Sequence, residues 1–138
     1  MLMKPAARYR RLSIGDVTRI FDMTPRAVRF YEEKGLFEAG RDRLNCRYYD
    51  GEAAARLELI SELRIAGLGL AEIRDVFEAE EEDANGARVA TDRLAERRRR
   101  LVEELAHVDA VSARLGGEPA ASNDPGEASV SRRRLKAL

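Results

Sequence analysis

Cysteine and histidine are almost absent from this chain of 138 residues: Cys46 and His107 each stand alone. One thiol excludes a disulfide framework within the chain and any multi-thiolate zinc or iron–sulfur site. With one imidazole the usual clustered metal sites are lacking too. Tryptophan is missing altogether. No run approaches the roughly 18 apolar residues needed to span a bilayer, and the start, Met1-Leu2-Met3-Lys4-Pro5, has no signal-peptide core. Neither a nucleophile–base pairing nor a glycine loop for phosphates is present. These absences predict a cytoplasmic binding protein rather than an enzyme, with no metal and no cofactor.

What the chain has in quantity is charge. Charged residues make up 36 % and apolar ones 44 %, a mix suited to a helical protein. Basic and acidic side chains number 25 each, but they are segregated. Residues 1–49 hold 11 basic against 6 acidic, and residues 50–82 hold 3 against 10. A basic unit beside an acidic one is the pattern of a local nucleic-acid footprint. Chance segregation in a small helical protein is the alternative.

Residues 1–11 read as a basic, flexible leader. Ser13 then precedes Ile14, Val17, Ile20 and Phe21, which share one helical face, and Asp16 completes a capping-box pattern. The first helix is expected to run to about residue 21. Thr24-Pro25 is a strong start for a second helix, with a hydroxyl N-cap followed by proline at the first helical position. That helix is expected to stop before Gly35, making a helix-turn-helix.

In the second helix Val28 and Tyr31 turn towards the first. Arg26, Arg29, Phe30 and Glu33 fall on the other side, where an aromatic between arginines suits a phosphate backbone and the major groove. An ordinary basic face, with Phe30 covered by a neighbouring segment, is the rival. Residues 36–49 lose the helical period. Turn formers Gly35, Gly40 and Asn45, with Arg41, Arg43 and Arg47 alternating before Tyr48-Tyr49, predict a small β-hairpin, either a wing against the same duplex or a plain surface hairpin.

Ala53, Leu57, Ile60 and Leu63 mark a third helix, broken by Gly67 and Gly69. Leu70, Ile73, Val76 and Phe77 mark a fourth, which ends in an acidic run. After a turn at Asn85-Gly86 a long helix is expected over about residues 87–115. Its apolar stripe takes in Leu94, Leu101, Leu105, Val108, Val111 and Leu115. A helix of about 29 residues, roughly 43 Å long, with one apolar stripe needs a partner, most simply its own copy. Packing back on its own domain is the alternative. From Gly116 onward the composition predicts a disordered tail.

The order of these parts resembles the MerR family of bacterial transcription regulators. The resemblance rests on Ser13-Ile14-Gly15-Asp16-Val17 and on Thr24-Pro25-Arg26-Ala27-Val28-Arg29-Phe30-Tyr31-Glu32-Glu33-Lys34-Gly35-Leu36. Arg47-Tyr48-Tyr49-Asp50 and the stretch from Leu63 to Ile73 continue it, so it spans about residues 12–78. It implies a mainly α fold: a winged helix-turn-helix with two further helices, over residues 12–82, and a dimerisation helix forming an antiparallel coiled coil, over residues 83–116. It also implies a homodimer on promoter DNA that bends and untwists an over-long spacer so that RNA polymerase engages both promoter elements. Carried over by position, Arg26, Arg29, Phe30 and Tyr31 are recognition-helix contacts, and Arg41, Arg43, Arg47 and Tyr49 are wing contacts.

Two positions depart from the family pattern. Asn45-Cys46-Arg47 stands where many members have Asn-Gly-Tyr-Arg, and Gly69 stands where a hydroxyl cap is common. The cysteines of metal-sensing and redox-sensing members are absent, and the residues from Gly116 are too few for a drug-binding domain, so the sequence names no effector. Two other readings compete with the promoter regulator: an architectural winged-helix protein that bends DNA at dispersed sites, and a protein adaptor docking through the acidic 50–82 unit.

Overall fold

The computed structural model describes residue 2 and residues 10–116, so most of the expected leader and the expected tail over 117–138 lie outside the described residues. Helix α1 (Ile14–Phe21) starts at a reciprocal pair. The Asp16 amide donates to Ser13 Oγ at 3.1 Å and the Ser13 amide donates to Asp16 Oδ2 at 3.0 Å. These bonds, the backbone one first, hold the Asp16 carboxyl below the usual aspartate value. The helix stops at Asp22, whose φ of +50° turns the chain into the left-handed region. Thr24 then opens α2 (Pro25–Glu33) by accepting the Ala27 amide at 3.1 Å, with Pro25 costing no helical hydrogen bond. Val17 and Val28 are fully buried where the two helices meet, so this pair is a helix-turn-helix held by its own apolar face.

Gly35, at φ +77°, ends the second helix and sends Leu36 and Phe37 into the core. The hairpin that follows has two short antiparallel strands, β1 (Gly40–Arg41) and β2 (Arg47–Tyr48). Gly40 lies opposite Tyr48, and a Cβ there would overlap the tyrosine ring. Leu12 adds a third rung: its amide and carbonyl both pair with Tyr49 at 2.8 Å. Leu12, the first residue after the leader, is therefore tied to the hairpin, an attachment that hydrophobic periodicity does not announce.

Helix α3 (Gly51–Ile65) is capped by Asp50, which accepts the Ala53 amide at 2.9 Å. It buries Leu57, Ile60 and Leu63, and Ser61 Oγ donates to the Phe21 carbonyl at 3.0 Å, stapling it to the end of α1. The turn after it uses Gly67 at φ +92°, beneath the Arg97 guanidinium. Helix α4 (Leu70–Asp83) starts at Gly69 without a side-chain cap. Only the reverse half of a capping box is kept: Glu72 Oε2 accepts the Gly69 amide at 2.9 Å, while the first-turn amide that a hydroxyl would take has no side-chain acceptor. Full burial of Ile60, Ile73 and Val76 contributes about 1.5–3 kcal/mol for each side chain.

The expected turn at Asn85-Gly86 falls one residue early, on Ala84 and Asn85. Gly86 is already the first residue of α5 (Gly86–Arg114). A Cβ on Gly86 would come within 2.7 Å of Glu80 Cβ and 2.9 Å of the Val76 carbonyl, so a helical glycine is required there. The chain divides into two units, residues 1–97 and the residues from 98 onward. In the first unit, Ala90 is buried and Val89 and Leu94 pack against the core, with Arg93 bonded to Asp75 at 2.7 Å. Leu94, expected on a dimer stripe, is thus partly used by its own domain, because the first turns of α5 cover the α4 face. In the second unit Leu101, Leu105, Val108 and Leu115 are exposed and Val111 is half-buried.

Candidate nucleic-acid interface

The outer face of α2 carries the side chains its periodicity assigns to it. Thr24, Pro25, Arg26, Arg29, Phe30 and Glu33 line an open groove of about 600 Å³. Phe30 is 41 % exposed, which settles that no neighbouring segment of the described residues covers it. Its ring is braced rather than loose, with Tyr31 edge-on at 5.4 Å and the Lys34 ammonium 5.5 Å from its centroid. Arg26 and Arg29 are exposed beside it. An apolar plate between long cations can press on sugars while the guanidinium groups reach phosphate or guanine.

An ion pair ties the hairpin to α2. Arg47 Nη1 lies 3.6 Å from Glu32 Oε2, joining β2 to the end of α2. Arg41 and Arg43 are exposed, while Arg47 is half-buried. Arg11 stacks on the Tyr48 ring at 4.4 Å, adding a further cation that spacing within the hairpin could not reveal; only the basic character of residues 1–11 hinted at it.

Two expected contacts are corrected. Tyr49 is 0 % exposed and belongs to the core, edge-on to Phe37 at 6.0 Å. Tyr31 is also buried, against α1, as its side of the helix requires. Alternation in a short strand points Tyr48 and Tyr49 to opposite faces, and Tyr49 takes the inner one. The Tyr49 hydroxyl is buried without a hydrogen-bond partner. Burial, then the nearby Glu32 charge, raises its pKa above the ordinary 10.0 despite Arg47, Arg29 and Arg41.

The hairpin tip is built by Asp42, which sequence spacing does not single out. Its Oδ1 accepts the amides of Leu44 at 2.9 Å and Cys46 at 2.8 Å. Asn45 takes φ +59°, a conformation asparagine tolerates. Cys46 is an exposed free thiol on this loop.

A second, polar cleft of about 300 Å³ is lined by Glu38, Asp50, Glu52 and Glu81 around Arg56. There Arg56 donates to the Leu36 carbonyl and to Glu81 Oε1, both at 2.9 Å, and lies over Phe77, so it acts as a strut. Among the described residues no three His, Cys, Asp or Glu side chains are grouped to hold a metal ion, and no helix is long and apolar enough to cross a membrane.

Comparison with known proteins converges on one group. The model of the MerR HTH family regulatory proteins matches residues 12–80, half of the chain. A transcriptional regulator of that family from Listeria monocytogenes superposes with a TM-score of 0.59 at 17 % identity, covering 92 % of this chain and 99 % of that one. Another, from Bacillus thuringiensis, gives a TM-score of 0.56 at 20 % identity, covering 77 % and 97 %. At these identities the two structures share the fold.

Proposed function

Since this chain belongs to the MerR family of helix-turn-helix regulatory proteins, we propose that it is a transcription regulator that binds promoter DNA as a homodimer and bends and untwists the spacer between the promoter elements. Residues 12–82 form the DNA-binding domain in this reading and residues 83–116 the dimerisation helix. The protein acts in the cytoplasm on the nucleoid, with RNA polymerase as its partner at the promoter, and it is not an enzyme. It uses no cofactor.

The observation that carries the reading is the exposed Arg26, Arg29 and Phe30 surface of α2, with Arg41 and Arg43 also exposed on the hairpin that Arg47 ties to α2. Arg41 also bonds the Asn45 carbonyl of its own loop, but the fold gives Arg26, Arg29 and Phe30 no such task, and a duplex would give them one. Arg47 contributes from its ion pair with Glu32. Dimerisation is supported by the uncovered apolar residues Leu101, Leu105 and Val108 on the second half of α5, which a single chain leaves in water. Two recognition helices held at a fixed separation favour one pseudo-palindrome over dispersed sites, and so favour the regulator over an architectural DNA-bending protein.

The test is a binding titration at several salt concentrations with the double variant Arg26→Ala and Arg29→Ala. Both residues are exposed, so the fold is kept. Removing one phosphate-binding guanidinium flattens the plot of log affinity against log salt by about one unit, so a drop in affinity with a slope shallower by about two is expected. Unchanged affinity and slope would remove α2 from the interface.

A further inference from the structure

Leu44 stands at the tip of the hairpin with 84 % of its surface exposed. It packs on nothing that the fold needs, yet the backbone beneath it is fixed. The Asp42 carboxylate holds the Leu44 and Cys46 amides from inside the loop. The Asp42 amide donates to the Cys46 carbonyl and the Asn45 amide to the Asp42 carbonyl, each at 3.0 Å. Arg41 Nη1 closes the loop on the Asn45 carbonyl, also at 3.0 Å. An apolar side chain is thus carried outward on a preset turn, with Arg43 next to it and Arg41 at its base.

We propose that Leu44 is a minor-groove wedge, resting on the DNA-binding reading above and naming what the wing does there. Phosphate oxygens offer an isobutyl group nothing, and the cations around it favour an anionic partner. The minor groove of a duplex supplies both needs: about 6 Å wide between two phosphate rows, it has sugar walls and base-step faces against which an apolar wedge can pack. Apolar side chains inserted there unstack a base step and kink the duplex towards the major groove, most cheaply at flexible pyrimidine–purine steps. Arg43 follows into the negative potential of the groove. Asp42 is then a positioning residue. It places a negative charge near phosphates, and its compensation is a tip that is ordered before DNA arrives.

The probe is a duplex selected from a random pool by the wild-type protein, read by fluorescence anisotropy and by energy transfer between the duplex ends. Leu44→Ser is expected to fold normally and to lose affinity by roughly tenfold, the worth of one buried leucine side chain. Its salt slope stays unchanged, since no charge is removed, and the duplex bends less. Asp42→Ala weakens binding although it removes a negative charge, whereas Asp42→Asn, which keeps an oxygen acceptor and also loses the charge, binds at least as tightly as wild type. Diaminopurine in place of adenine puts an amino group into the minor groove; it weakens the wild type more than it weakens Leu44→Ser, which keeps only Arg43 there. Wild-type affinity and bend in Leu44→Ser would overturn the wedge, as would a defect confined to complexes containing polymerase. If the wild-type protein selects no duplex at all, it is the DNA-binding reading that falls.

Discussion

A tyrosine hydroxyl sealed in the core without a partner is a cost the fold carries at Tyr49. Removing that oxygen leaves the ring packing in place, so Tyr49→Phe is expected to hold or raise stability, by about 1 kcal/mol. The pH dependence has a defined sign. With its folded pKa raised above 10.0, Tyr49 contributes stability that is present below pH 10 and lost as pH rises through the folded value. Urea unfolding at pH 8 and about pH 11 should show the gap between Tyr49→Phe and wild type widening at the higher pH. An equal gap at both would contradict the assignment. Exposure of the candidate residues is legible in the sequence where it follows from helical period, as for Arg26, Arg29 and Phe30. It is not legible where a motif carries residues across without their facing, as for Tyr31 and Tyr49, which are buried. The Asp42 clamp and the Arg11 stack are invisible there because each depends on a hairpin whose strands are only two residues long.

Elements are easier to read than their joints. Ser13, Thr24 and Asp50 each put an oxygen acceptor at a helix start, and all three are used. The third and fourth helices follow the apolar positions expected of them. The sequence pattern sets the α4–α5 joint one residue late, because the required closeness of Gly86 to Glu80 and Val76 is a tertiary fact. The joint also makes a prediction. Ala84 sits at φ +53° as the C-cap of α4, a conformation that costs a residue with a Cβ about 1 kcal/mol. Ala84→Gly should therefore raise the thermal midpoint, and Gly67→Ala, at φ +92° against Arg97, should lower it by a comparable energy or more. The opposite order in a melting experiment would show that neither turn is strained as drawn.

At the scale of the whole molecule, a formal net charge of zero hides a basic first third and an acidic middle, so attraction to DNA is local rather than general. The second half of α5 leaves Leu101, Leu105 and Val108 exposed, and a second copy is the expected cover. Leu105→Glu should convert the dimer to monomer in sedimentation and remove the concentration dependence of the wild-type melting midpoint. A monomeric wild type would contradict this. In the proposed dimer the distance between two α2 helices would be fixed, which for helix-turn-helix dimers is about one turn of duplex, roughly 34 Å.

The most direct measurement is a hydroxyl-radical footprint of the full chain on the region upstream of its own gene, with and without transcribing polymerase. Two protected half-sites inside one promoter spacer are expected, with enhanced cleavage between them where the duplex is bent and untwisted. Scattered, weak protection would contradict the promoter regulator and favour the architectural protein. No protection even at low salt would contradict DNA binding itself.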